Sequence, residues 1–139
     1  LFTFEAIDGP SPRSDKSSGW GIITHNGKTK PRYSALLFLN QVSGARLPSS
    51  GDGSWVTSFS TKKGSIIQSL IVNYDPSLKH SETTPITYQG LTPGQYQLKI
   101  SPFQGSPRNK TISVTSSAYT ENLYLEPNTA YLLELTKIN

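Results

Sequence analysis

Short apolar runs that alternate with polar residues fill the chain from residue 54 onward. In QYQLKIS, residues 95–101, Tyr96, Leu98 and Ile100 fall on one face and Gln97 and Lys99 on the other. That is the period-two pattern of a strand with one covered face. SWVTSFS places Trp55, Thr57 and Phe59 together. TPITYQG offers Ile86 and Tyr88, and KTISVTS offers Ile112 and Val114. ENLYLEP puts Leu123 and Leu125 on one side and Tyr124 on the other, and AYLLELTKI aligns Tyr131, Leu133 and Leu135. SIIQSLIVNY is apolar on both faces, through Ile66, Leu70 and Val72 on one and Ile67 and Ile71 on the other, which predicts a central strand covered on two sides. Seven such segments in about ninety residues, divided by Gly, Pro, Asn and Ser, predict an immunoglobulin-like antiparallel β-sandwich over residues 45–139 and a mainly β chain. Between two of them, Pro93-Gly94 predicts a type II turn.

Residues 1–44 have another texture. LFTF is a compact apolar run that turns polar at Glu5 and Asp8. PSPRSDKSSG has no periodicity and reads as loop. WGIIT reads as a short strand, and Asn26-Gly27 after it is a strong tight-turn signal. Pro31 is tolerated in a first helical turn, so PRYSALLFLNQVSG predicts a helix closed by Gly44. Ala35, Leu36, Phe38, Leu39 and Val42 spread apolar area over more than one face, as in a helix buried on two sides. The domain boundary is expected between Gly44 and Pro48, giving segments 1–44 and 45–139.

FTFEAIDGP, a polar loop, then GWGIITHNGKTKPRYSALLFLNQVSGARL resembles the end of the catalytic barrel of glycoside hydrolase family 39 and its retaining clan. LEPNTAYLLEL, residues 125–135, resembles the final strand pair of the β-sandwich that follows that barrel. The resemblance implies that residues 1–44 are a remnant of a (β/α)₈ barrel, its eighth strand, loop and eighth helix. It implies a helix packed on barrel strands and on the sandwich. Retaining glycosidases work with two carboxylates about 5 Å apart. In the resembled family these are Glu residues after the fourth and seventh strands, which would precede Leu1, so no catalytic residue is assigned. Glu5 and Asp8 fall at the C-terminal end of the eighth strand, the end that faces the active site in a barrel, and are candidate substrate contacts in a parent enzyme.

The chain opens on Leu1 and contains no Met. We therefore expect part of a longer, secreted or extracellular protein whose targeting segment lies elsewhere. The expected partners are the rest of the barrel, a polysaccharide or oligosaccharide, and a second copy meeting the barrel-facing surface of Leu1, Phe2, Phe4, Leu36, Phe38, Leu39 and Val42.

The remaining chemistry narrows the function. The 139 residues contain no cysteine, so disulfides and thiolate metal sites are excluded. The net charge of +4 is scattered singly rather than gathered in a stripe, which argues against nucleic acid. No apolar run is long enough for a membrane helix. GKT at residues 27–29 lacks the upstream glycine of a phosphate loop, and GDGS at residues 51–54 lacks the repeated acids of a calcium loop. His25 sits beside a turn dipeptide, and neither it nor His80 has acids at ligand spacing; no metal or cofactor is expected. Among the aromatics, core packing is the ordinary fate of Trp55, Tyr74 and Tyr88. Tyr119 and Tyr124, set among Ser, Thr and Asn, are candidates for stacking on a sugar ring. Asn109-Lys110-Thr111 is a glycosylation sequon, placed in a loop before a strand. These features predict a non-catalytic C-terminal sandwich of a carbohydrate-active glycoside hydrolase that braces its barrel. The alternatives are a free-standing carbohydrate-binding module using exposed aromatics, and an enzyme in its own right.

Overall fold

The computed structural model describes residues 5–16, 18–51 and 55–138. The LFTF run and most of GDGS lie outside them. The chain forms two compact units, Leu1–Gln41 and Val42–Asn139, dividing three residues before the boundary expected from sequence.

The first unit holds α1 (Pro12–Asp15) and α2 (Pro31–Leu39). The one-turn α1 lies in the segment read as loop. The expected WGIIT strand is reduced to single bridges, Ile7 with Ile23 in parallel and Ile23 with Thr29 antiparallel. The Asn26-Gly27 turn forms: Gly27 has φ 80°, and its N–H donates to Thr24 O at 3.0 Å. Pro31 opens α2, where its missing N–H costs nothing. The helix stops at Leu39, short of Gly44, with the Asn40 N–H donating to Leu36 O. The physical reason is that Ser43 belongs to the second unit's hydrogen bonding. Its N–H donates to Gln68 Oε1 at 2.9 Å, and its carbonyl accepts from Thr61 Oγ1 at 2.8 Å. Gly44 has φ 102° and lies against the Lys62 carbonyl, where any Cβ would collide, so its glycine serves close approach rather than helix capping. Phe38 is buried, whereas Leu37 and Leu39 are exposed.

The second unit is an antiparallel sandwich of β1 (Ala45–Leu47), β2 (Val56–Lys63), β3 (Ile66–Asn73), β4 (Glu82–Gln89), β5 (Gly94–Pro102), β6 (Arg108–Val114), β7 (Ala118–Leu125) and β8 (Thr129–Ile138). One sheet runs β1-β2-β3-β8-β5-β6, and the other is the pair β4-β7. β1 was not foreseen, being too short at three residues to show a period. Register sets the inner face in rows: Ile67, Leu135 and Leu98 stand abreast, and so do Ser69, Leu133 and Ile100. Against them the small sheet supplies Tyr88, Leu123 and Leu125, forming one apolar core. Leu98, Leu133, Leu135 and Leu125 are fully enclosed. The two-sided reading of β3 holds at its centre, where Leu70 and Ile71 point to opposite faces and are both buried, though Ile66 at its start is exposed. The Pro93-Gly94 turn is not type II. Gly94 has φ 146° and already opens β5, with the Lys137 side chain packed where a Cβ would sit.

Burial fixes two outcomes. Leu98→Ala removes a fully enclosed side chain and costs about 2–5 kcal/mol in thermal or urea unfolding, whereas Ile66→Ala on the same sheet costs under about 1 kcal/mol. A chain of residues 42–139 alone unfolds in a single cooperative thermal transition, because its two sheets carry their own apolar faces. Loss of cooperativity in calorimetry overturns the division at residue 42.

Candidate functional site

Asp8 is pinned by the loop that follows it. It forms a buried ion pair with Lys30, whose Nζ also donates to Gly19 O at 3.0 Å. The Gly21 N–H donates to Asp8 Oδ1 at 2.7 Å. Any side chain at Gly19 would strike this carboxylate, and one at Gly21 would meet the Asp8 backbone, so both glycines are dictated by close approach. The Lys30 hydrogen bond holds the Asp8 carboxyl below its ordinary range against the opposing effect of burial, with Gly21 and Ser14 assisting. Asp8 is therefore enclosed within the first unit. Glu5, the other candidate, is half-buried.

A second buried carboxylate was missed from sequence. Asp75 opens the loop between β3 and β4. Burial alone would raise it, but it accepts from Ser77 Oγ (2.6 Å) and from the N–H groups of Ser77, Lys79 and His80 (each 2.8 Å), and these hold it far below the usual carboxylate range. His80 Nδ1 lies 2.7 Å from Asp75 Oδ2. An ionised carboxylate only accepts, so Nδ1 carries the hydrogen. The His80 ring stacks on Trp55 with centroids 4.8 Å apart. Asp followed by Pro and then Ser was the local signal for such a turn.

The sugar-stacking candidates lie on opposite faces of β7. Tyr124 points outward and is 56% exposed, beside Thr83 of β4 in register. Tyr119 points inward, is half-buried and donates its hydroxyl to Glu121. Glu121 is buried and paired with Lys110, whose Nζ lies 5.9 Å from the centre of the Tyr119 ring. Burial alone would lower Lys110, but the hydrogen bonds to Glu121 and Tyr119 raise it. Tyr119 and Tyr124 therefore form no common platform. Asn109 is exposed, but it lies within β6 opposite Lys99 and not in the loop expected.

The unequal sheets leave a groove. The small sheet ends at β4, so the inner face of β2 is uncovered, and that face carries Ser58 and Ser60 in register with Ile71 and Ser69. The space between them is about 780 Å³. Ser60 Oγ and Ser69 Oγ are 2.8 Å apart at its floor. Burial pushes the Tyr88 phenol up to about 12, with the neighbouring Ser69 hydroxyl only partly opposing. Among the described residues no group of three or more His, Cys, Asp or Glu side chains is placed to hold a metal ion. Among the described residues no helix is long and apolar enough to cross a membrane.

No model of a known protein family matches the chain, and no curated protein does. Solved structures do match. The GH39 enzyme from Xanthomonas axonopodis pv. citri aligns with 87% of this chain and 33% of its own, at 16% identity and a TM-score of 0.60. A glucosidase from Croceicoccus marinus aligns with 86% of this chain and 34% of its own, at 15% identity and a TM-score of 0.61. The chain thus spans about a third of the length of these enzymes. At such identities the likeness is one of fold, and the resemblance to family 39 read from the sequence is found there. Residues 42–139 alone cannot supply 87% of the chain, so the match reaches into the first unit.

The buried carboxylates predict acid sensitivity. Asp8 and Asp75 have folded pKa values below the unfolded value of about 4, so their stabilisation is complete above that pH and is lost as pH falls through the lower folded values. Asp75→Asn lowers the melting temperature at neutral pH and flattens its fall between about pH 5 and pH 2. An unchanged acid limb in the variant overturns this assignment.

Proposed function

We propose that residues 42–139 are the non-catalytic β-sandwich of a carbohydrate-active glycoside hydrolase, bracing its catalytic barrel, and that residues 1–41 belong to that barrel's end. The observation that carries this reading is the fold match to a GH39 enzyme and a glucosidase, over most of this chain and about a third of theirs. A match that extends beyond the sandwich favours this reading over a free-standing module.

The acids support a supporting role. A retaining glycosidase needs two carboxylates about 5 Å apart, one kept protonated at working pH by a raised pKa. Here Asp8 and Asp75 are held low, the opposite of what a general acid requires. Glu121 is tied to Lys110 and Tyr119, and Glu134 to Lys99. Each is spent on structure. The partner implied is the rest of the barrel. Leu37 and Leu39, exposed on α2, are the apolar surface on offer, and a second copy of the chain is the competing occupant. Of the two tyrosine candidates for sugar stacking only Tyr124 is turned outward, while Trp20 and Tyr74, which the sequence left to core packing or unassigned, are also exposed.

Two measurements test the reading. The chain alone leaves aryl glycosides unhydrolysed, and deleting residues 42–139 from the full gene product lowers the barrel's melting temperature while its two catalytic Glu residues remain. Turnover by the isolated chain, or a barrel indifferent to the deletion, overturns it. In light scattering, Leu37→Glu with Leu39→Glu shifts any self-associated chain toward monomer without unfolding the sandwich.

A further inference from the structure

We infer that the groove between β2 and β4 is a binding site for a neutral, polyhydroxylated ligand, a short oligosaccharide, in which Thr84 and Tyr88 supply hydroxyls. The inference goes beyond the bracing reading and does not depend on it.

The groove's volume of about 780 Å³ falls in the range of small-molecule sites. Its lining is dense in hydroxyls, from β2 and β3 on the floor and β4 on the wall. Two of them are anomalous. Thr84 Oγ1 and Tyr88 Oη are shielded from water, and neither has a hydrogen bond of good geometry within the described residues. Tyr88 itself is 6% exposed. The Ser69 hydroxyl beside it offsets the upward shift of the phenol only in part and also bonds Ser60, so the Tyr88 hydroxyl is at best weakly satisfied and Thr84 Oγ1 is the clearer orphan. Buried hydroxyls are ordinarily paired, and leaving them unpaired is unfavourable, so their persistence here calls for an occupant.

Charge decides the class of occupant. Glu82 is the one charged side chain among the described lining residues, and no Lys or Arg lines the groove. A phosphate, a nucleic acid or a uronate chain would find no counter-charge. A metal ion would find a single carboxylate among the described lining residues. A neutral polyol suits the site: its hydroxyls donate and accept toward Ser, Thr and Tyr, while its ring faces meet Ile86 and Pro85. The rival occupant is a peptide strand added along β4. Pro85 stands in the middle of that strand, and proline lacks the N–H an added ladder requires. It guards the edge against pairing while leaving the groove open to a smaller guest.

The whole chain is titrated with cellotetraose, with xylotetraose and with trigalacturonate, following backbone amide shifts by NMR. Saturable shifts confined to β2, β3 and β4 are expected with at least one neutral sugar and absent with the uronate. Thr84→Val and Tyr88→Phe each weaken that binding by about threefold to tenfold, the worth of one hydrogen bond. Both variants keep or raise the melting temperature of the free protein, since each removes a buried hydroxyl that is unpaired or only weakly satisfied. No saturable shift with either neutral sugar overturns the proposal, leaving the hydroxyls to a trapped water. So does equal binding of the uronate, undiminished affinity in both variants, or a response centred on Tyr124. Failure of the bracing reading shows in the deletion experiment and leaves this titration untouched.

Discussion

The sandwich depends on where β8 lies. It is the C-terminal-most strand described, yet it sits inside the large sheet, with β3 on one side and β5 on the other. β8 makes both inner rows continuous: Leu135 joins Ile67 to Leu98, and Leu133 joins Ser69 to Ile100. Without it the sheet falls into two parts, β1-β2-β3 and β5-β6, each with an open edge. The large sheet thus closes only when residues more than sixty positions apart meet, as Gln68 and Glu134 do. Such a topology defers its reward until distant segments have paired, and it favours slow, cooperative folding.

The same arrangement explains the asymmetry of the fold. Six strands face two, and two cannot roof six. The β4-β7 pair covers β3, β8, β5 and β6, where the apolar rows are. β2 answers by carrying Ser58 and Ser60 on its inner face, a polar lining where no roof exists. A sheet side wholly apolar at that place would be an aggregation liability. The groove is therefore a consequence of strand count, and its hydroxyl character a consequence of exposure. Neither of these explains why Thr84 buries a hydroxyl without a partner and Tyr88 one that has only Ser69 beside it, and those two groups are what point to a ligand.

Much of the fold was legible in the chain because strands with one covered face print their period directly. Tyr96, Leu98 and Ile100 alternate with Gln97 and Lys99 in sequence and in space. The errors lie where a single residue answers to a distant one. Gly44 reads locally as a helix stop, but it is set by the Lys62 carbonyl, eighteen positions on. Gly94 reads as a type II turn, but Lys137 occupies the space beside it. The Asp8–Lys30 ion pair, too, joins residues twenty-two positions apart and has no local signal. The groove was invisible for a further reason: it belongs to no segment, arising only when one sheet fails to cover another.

The buried carboxylates bear on function through the sign of their shifts. Asp8 and Asp75 are enclosed, and enclosure alone would raise both. In each, hydrogen bonds or a cation reverse that tendency and fix the charge. A site evolved for proton transfer leaves burial uncompensated, so that the group can gain and lose its proton near neutral pH. Here the compensation is complete. Asp75 gathers the backbone of its loop and the His80 ring beneath Trp55, and Asp8 gathers Gly21 and Lys30. Carboxylates arranged this way hold backbone in place and give up reactivity in doing so.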